Sequence, residues 1–77
     1  MAAHGTMEIN GHPLGWWYAR RQEPLASVGD EYTYECAVEI NGQRVQFLLR
    51  HRYANGLTAL AGAVLSAGAA LLTSEGG

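Results

Sequence analysis

The sequence predicts an α+β domain in which two antiparallel β-hairpins (ββββ) form one curved sheet, covered on one face by a single C-terminal α-helix. Three observations carry this. Residues 31–40 alternate apolar and polar without a break, an Asn-Gly pair closes each of two strand-like segments, and an uncharged helical stretch runs from Leu57 to Ser74. A period of two marks a half-buried strand, Asn-Gly marks a two-residue hairpin turn, and a long apolar run ending near glycine marks a helix.

Residues 1–6 have neither the positive start nor the apolar middle of a secretory signal and are expected to be a disordered tail. The single domain is expected over 7–75. Its first hairpin, over 7–21, turns at Asn10-Gly11, and Glu8-Ile-Asn-Gly11 recurs as Glu39-Ile-Asn-Gly42. Carried forward, the repeat lays Leu14 on Val45, Trp16 on Phe47 and Tyr18 on Leu49. The inner face would then be Met7, Ile9, Leu14, Trp16 and Tyr18, which turns Trp17 outward. Pro13 removes a ladder donor and places this hairpin at a sheet edge. Residues 22–30 hold Pro24, Ser27, Gly29 and Asp30 without periodicity and are expected to be the connecting loop.

The second hairpin, over 31–53, is specified twice over. The Asn41-Gly42 turn pairs Ile40 with Gln43, Val38 with Val45, Cys36 with Phe47, Tyr34 with Leu49 and Tyr32 with His51 on the inner face. The same register sets Glu39 against Arg44 and Glu31 against Arg52 on the outer face, with Glu35 diagonal to Arg50, so opposite charges meet across the ladder.

The helix is expected over 56–74, starting at Asn55-Gly56. Leu57, Leu60, Val64, Leu65, Leu71 and Leu72 share an arc of about 140° that should cover the sheet. The remaining arc is small throughout. Thr58, Gly62, Ser66 and Ala70 lie on it at the four-residue spacing that lets backbones approach, and they are the expected self-association surface. Interior glycines cost about 1 kcal/mol each against alanine unless their space is used. The uncharged length also has the outline of a tail anchor, but insertion would strip the sheet of its cover, and membrane attachment is not expected.

Composition narrows the function classes. With 77 residues there is room for one core, and domains of this size often lean on a staple or a partner. Cys36 is the single cysteine, so no disulfide forms within the chain, and a cytoplasmic location suits it. Net charge is −2, which gives no overall basic field toward phosphate or anionic lipid. All five basic residues are arginine, the side chain suited to forked pairing and aromatic stacking.

No catalytic or metal-binding set emerges, and no cofactor is implied. In the expected register Cys36 and His51 are about 13 Å apart along the sheet, too far for a nucleophile and its base. His4 and His12 fall in the tail and a turn, without zinc-ligand spacing. The chain is therefore not expected to be an enzyme. The outer sheet face is the candidate partner surface, with Trp17 as its anchor beside Arg21, Arg44, Leu48, Arg50 and Arg52.

The element order ββββα resembles the PUR-repeat topology, a likeness of fold without a shared motif, which implies single-stranded nucleic-acid binding and pairing through helices. Three functions are carried forward: a homodimeric interaction module with a protein partner, a single-stranded nucleic-acid binder, and a compact phage-type inhibitor of a host enzyme.

Overall fold

The computed structural model describes residues 2–22, 27–28, 31–52 and 56–76. The elements are β1 (Ala2–Ile9), β2 (His12–Arg21), β3 (Ser27–Val28), β4 (Glu31–Ile40), β5 (Gln43–Arg52) and α1 (Gly56–Gly76). Four long antiparallel strands stand in the order β1-β2-β4-β5, and α1 packs on one face. The two-residue β3 continues the β2 side of β4, opposite Glu31 and Tyr32. The molecule is a slab of 38 × 27 × 16 Å, one sheet and one helix thick.

Both hairpin turns are type I′. Asn10 and Gly11 have φ of 52° and 79°, and Asn41 and Gly42 have φ of 53° and 80°. Each turn needs two successive left-handed residues, which asparagine and glycine supply at least cost. Across β4 and β5 every expected pair is present, from Ile40 opposite Gln43 to Glu31 opposite Arg52.

The first hairpin departs from its expected phase. Ile9 stands opposite His12 and Glu8 opposite Pro13, but Met7 stands opposite Gly15, so Leu14 bulges out of the ladder. One extra residue reverses the facing of every later side chain in the strand. Trp17 therefore points toward the helix side, where it is 7% exposed, and Trp16 and Tyr18 take the opposite face. The expected inner positions Leu14, Trp16 and Tyr18 give way to Trp17 and Ala19. Two local features hold the bulge. Leu14 O accepts a 2.9 Å hydrogen bond from Asn41 N, and Gly15 lies so close to the Glu39 backbone that a Cβ there would collide with its carbonyl. Pro13 lies beyond the stretch of β2 that pairs with β4, so its missing N–H costs the sheet interior nothing.

The expected tail at 1–6 is strand from Ala2 onward. The long β2 offers Ala2–Gly5 a ladder opposite Arg20–Trp17, and Ala3 and Gly5 are half-buried there. Within the expected loop at 22–30, Ser27–Val28 is strand, and Gln22 N donates to Thr33 O at 2.9 Å. Residues 23–26 and 29–30 lie outside the described residues, as do Tyr53 and Asn55 at the ends expected for the second hairpin and the helix.

The core is Trp17, Ala19, Tyr34, Cys36, Val38 and Val45 from the sheet with Leu60 and Val64 from α1. Leu60, Val64 and Gly68 follow one another at the four-residue spacing of a single helical stripe, and Gly68 is the point of closest approach. A Cβ on Gly68 would stand 2.6 Å from Val38 Cγ2. The large-residue stripe is only partly covered, since Leu57 near the helix start remains 56% exposed and Leu71 near its end 38% exposed. The helix continues to Gly76, two residues past its expected end.

Cys36 is buried among these residues, its Sγ 3.6 Å from Tyr34 O, and desolvation pushes its thiol pKa from 9.0 up to about 11. The folded chain thus holds the proton more tightly than the unfolded one. The associated stability is fully present below pH 9 and is lost as pH rises toward 11. A polar thiol reagent at neutral pH should label Cys36 only as fast as the chain opens, and labelling at the rate of a free thiol would contradict the burial.

Candidate functional site

Alternation on four strands turns one set of side chains away from the helix, and this outer face is organised in columns. From β2 come Trp16, Tyr18 and Arg20; from β4 come Glu31, Thr33, Glu35, Ala37 and Glu39; from β5 come Arg44, Gln46, Leu48, Arg50 and Arg52. His4 and Thr6 of β1 complete it opposite Tyr18 and Trp16. Aromatic, acidic and basic columns thus run side by side.

The centre of the face is a row of Tyr18, Ala37 and Gln46 in register. Ala37 is only 8% exposed although it lies on the open side, because its taller neighbours stand over it. Two shallow depressions flank Tyr18 and share Ala37 as floor. One, of about 460 Å³, is bordered by His4, Thr6, Trp16, Arg44 and Gln46. The other, of about 390 Å³, runs between Glu35 and Leu48.

Electrostatics on this face are those of paired charges in water. Arg20 donates to Glu35 at 2.6 Å, with the two side chains 57% and 42% exposed. The Arg20 hydrogen bond, followed by one from Gln22, holds the Glu35 carboxyl below the usual carboxylate range, and the same partner raises the Arg20 guanidinium. The pair's contribution is present at neutral pH and fades as pH falls through the lowered carboxyl value. Glu35 thus takes Arg20 from β2 in place of the diagonal Arg50 expected from β5. Arg44 stands over the Trp16 ring with 5.9 Å between guanidinium carbon and ring centroid, inside cation–π range.

The residues expected to form the partner surface are divided by the fold. Arg44, Leu48, Arg50 and Arg52 lie exposed on the outer face, with Leu48 at 64%. Trp17 does not. It is a core residue whose indole lies across Gly5, its neighbour in β1. Arg21 is on the helix side too, 4.6 Å over the ring of Tyr32. The Leu14 bulge exchanges them for Trp16 and Arg20. Pro13 and Gly15, flanking Leu14 directly after a tight turn, were the signal for it, since proline and glycine within a strand mark bulges.

On α1, Thr58, Gly62, Ser66 and Ala70 are all exposed, as the helical phase requires. A Cβ on Gly62 would meet nothing within 4 Å, whereas the space beside Gly68 is filled by Val38. Gly56–Ser74 has a mean hydropathy of 1.7 and is long and apolar enough to cross a membrane by length and composition, with 22% of that window buried. Among the described residues no three His, Cys, Asp or Glu side chains gather as a metal site would require. Compared with protein-family models, curated proteins and solved structures, the chain shows no match.

Proposed function

We propose that the chain is a small non-enzymatic interaction module, cytoplasmic and homodimeric, that binds a protein partner on the outer face of its sheet. The observation that supports this most is the pair Trp16 and Tyr18, two positions apart on an inner strand and set beside an exposed Leu48 and a row of arginines. Trp, Tyr and Arg are the side chains that carry binding energy at interfaces, and here a rigid sheet presents them.

Charge decides between partner classes. Four arginines on the face, Arg20, Arg44, Arg50 and Arg52, are matched by Glu8, Glu31, Glu35 and Glu39 on the same side. A phosphate-tracking groove gains from unopposed cations, whereas a protein partner accommodates mixed charge. Single-stranded nucleic acid is the second reading, favoured by two aromatic side chains on one open sheet face. A compact inhibitor would use the same surface with an enzyme as its partner.

Membrane insertion fits less well. The stripe of α1 that a bilayer would have to receive includes Leu60 and Val64, both closed against the sheet, and Gly68, shaped to Val38. Self-association completes the proposal, and the uncharged helix arc is one surface open to it.

Matched baits test the outer face. Wild type and Trp16→Ala are compared for retention of partners from the native host, and affinity for the recovered protein is then measured. Trp16→Ala should weaken binding by about 2 kcal/mol or more while leaving the fold intact. Equal affinity of the two baits would contradict the proposal. Tight, steeply salt-dependent binding of an oligothymidine probe would transfer the surface to nucleic acid.

A further inference from the structure

Among the described residues the sheet ends in two unpaired edges, and they are guarded differently. The β5 edge carries Arg44, Arg50 and Arg52, so pairing it with its own copy about Leu48 would set Arg44 against Arg52. Pairing about Phe47 would set Arg44 against Arg50. Like charges opposite one another across a ladder repel. The β1 edge, by contrast, has no arginine, lysine or proline in its eight residues, and among the described residues it pairs with β2 alone. A long edge without such guards is a template for another strand.

We propose that a second copy of this chain docks at the β1 edge, its own β1 antiparallel to the first, about a two-fold axis midway between the two Thr6 residues and perpendicular to the sheet. This rests on the self-association reading above and places the contact at the strand edge instead of the helix arc. Such an axis keeps side chains of one face opposite side chains of the same face. Centred on Thr6, the register sets His4 of each chain against Glu8 of the other, so a hydrogen-bonding or charged pair forms twice. Thr6 meets Thr6, a favourable cross-strand pair. On the helix side Ala3 meets Ile9, which is 58% exposed in the single chain and otherwise has no cover among the described residues. A register centred on Gly5 would instead oppose Ala2 to Glu8 and His4 to Thr6, losing both His4–Glu8 pairs.

The product is one continuous sheet with four long strands from each chain. Both helices lie on one side, and both Trp16–Tyr18 surfaces lie side by side on the other. A partner with two copies of the recognised feature would then bind with the advantage of linked sites.

Sedimentation equilibrium of the full chain tests this, together with hydrogen exchange. Wild type at micromolar concentration should have twice the 8.3 kDa chain mass. Thr6→Lys and Thr6→Glu, which place like charges on the axis, should each fall to the single-chain mass, and an equimolar mixture of the two should return to the double mass. Gly62→Glu on the helix arc should leave the dimer whole. In wild type alone, exchange at β1 amides should quicken on dilution, a readout that survives if a Thr6 variant fails to fold. A dimer broken by Gly62→Glu and unaffected by Thr6→Lys would overturn the β1 placement and leave self-association standing. A single-chain mass for wild type, with β1 exchange independent of concentration, would overturn both.

Discussion

Trp17→Ala is expected to destabilise the chain by about 3–5 kcal/mol, the range for emptying a buried aromatic site. Trp17 is 7% exposed and packs over Gly5 within the cluster that Tyr34, Val38 and Val64 complete. A chain of 77 residues has a total stability of roughly 4–12 kcal/mol, so the variant should be largely unfolded at the lower end of that range. Trp16→Ala, one position earlier and half-buried on the open face, should cost less, about 1–2 kcal/mol, for the partly covered ring and the Arg44 contact over it. Urea unfolding of both variants measures the contrast. Equal costs, or a larger cost at Trp16, would mean that Leu14 does not bulge.

The second large effect is a reversal of sign between two glycines of the same helix. Gly62→Ala should stabilise by about 0.5–1 kcal/mol, because alanine is the better helix former and the added methyl meets nothing within 4 Å. Gly68→Ala should destabilise by about 1–3 kcal/mol in spite of that propensity, because its methyl would stand 2.6 Å from Val38 Cγ2 and the branched side chain cannot yield without moving β4 or the helix. In a Val38→Ala background the penalty at Gly68 should largely vanish, a coupling that a double-mutant cycle reads directly. A stabilising Gly68→Ala in the wild-type background would contradict the close approach of α1 to the sheet.

Much of this architecture was legible in the sequence, and the part that was not has a specific cause. The second hairpin was readable to the residue because two independent patterns, apolar alternation and cross-strand charge, agreed on one register for Glu31–Arg52. The first hairpin offered no such check. Trp16, Tyr18 and Arg20 alternate with Trp17, Ala19 and Arg21, and both sets hold an aromatic residue and an arginine, so hydropathy could not choose between faces. The choice is made by the single residue at Leu14, and its signal lay in Pro13 and Gly15, not in periodicity. The first part of β1, expected as a tail, was missed for a related reason. Ala2, Ala3, His4 and Gly5 have little strand propensity of their own and become strand because a long β2 lies beside them.

The helix shows the opposite balance. Its phase was plain, but the depth of contact was not, because leucines dominate a helical-wheel count and a glycine does not register as a contact. Gly68 turned out to be the point of closest approach, while Leu57 and Leu71 stay exposed. The same glycine accounts for half of what pointed to the small-residue arc. Gly62, whose space is open, is the half that packing within the chain leaves unexplained.

The central claim is that the outer face presents Trp16 and the core holds Trp17, and single-tryptophan variants test it most directly. In Trp17→Phe the remaining Trp16, half-buried on the open face, should emit at longer wavelength and be quenched by acrylamide more readily than Trp17, and become shielded when the partner binds. In Trp16→Phe the remaining Trp17 should emit at short wavelength and resist quenching with or without partner. The reverse assignment, a shielded Trp16 and a quenchable Trp17, would contradict the bulge at Leu14 and the binding surface built on it.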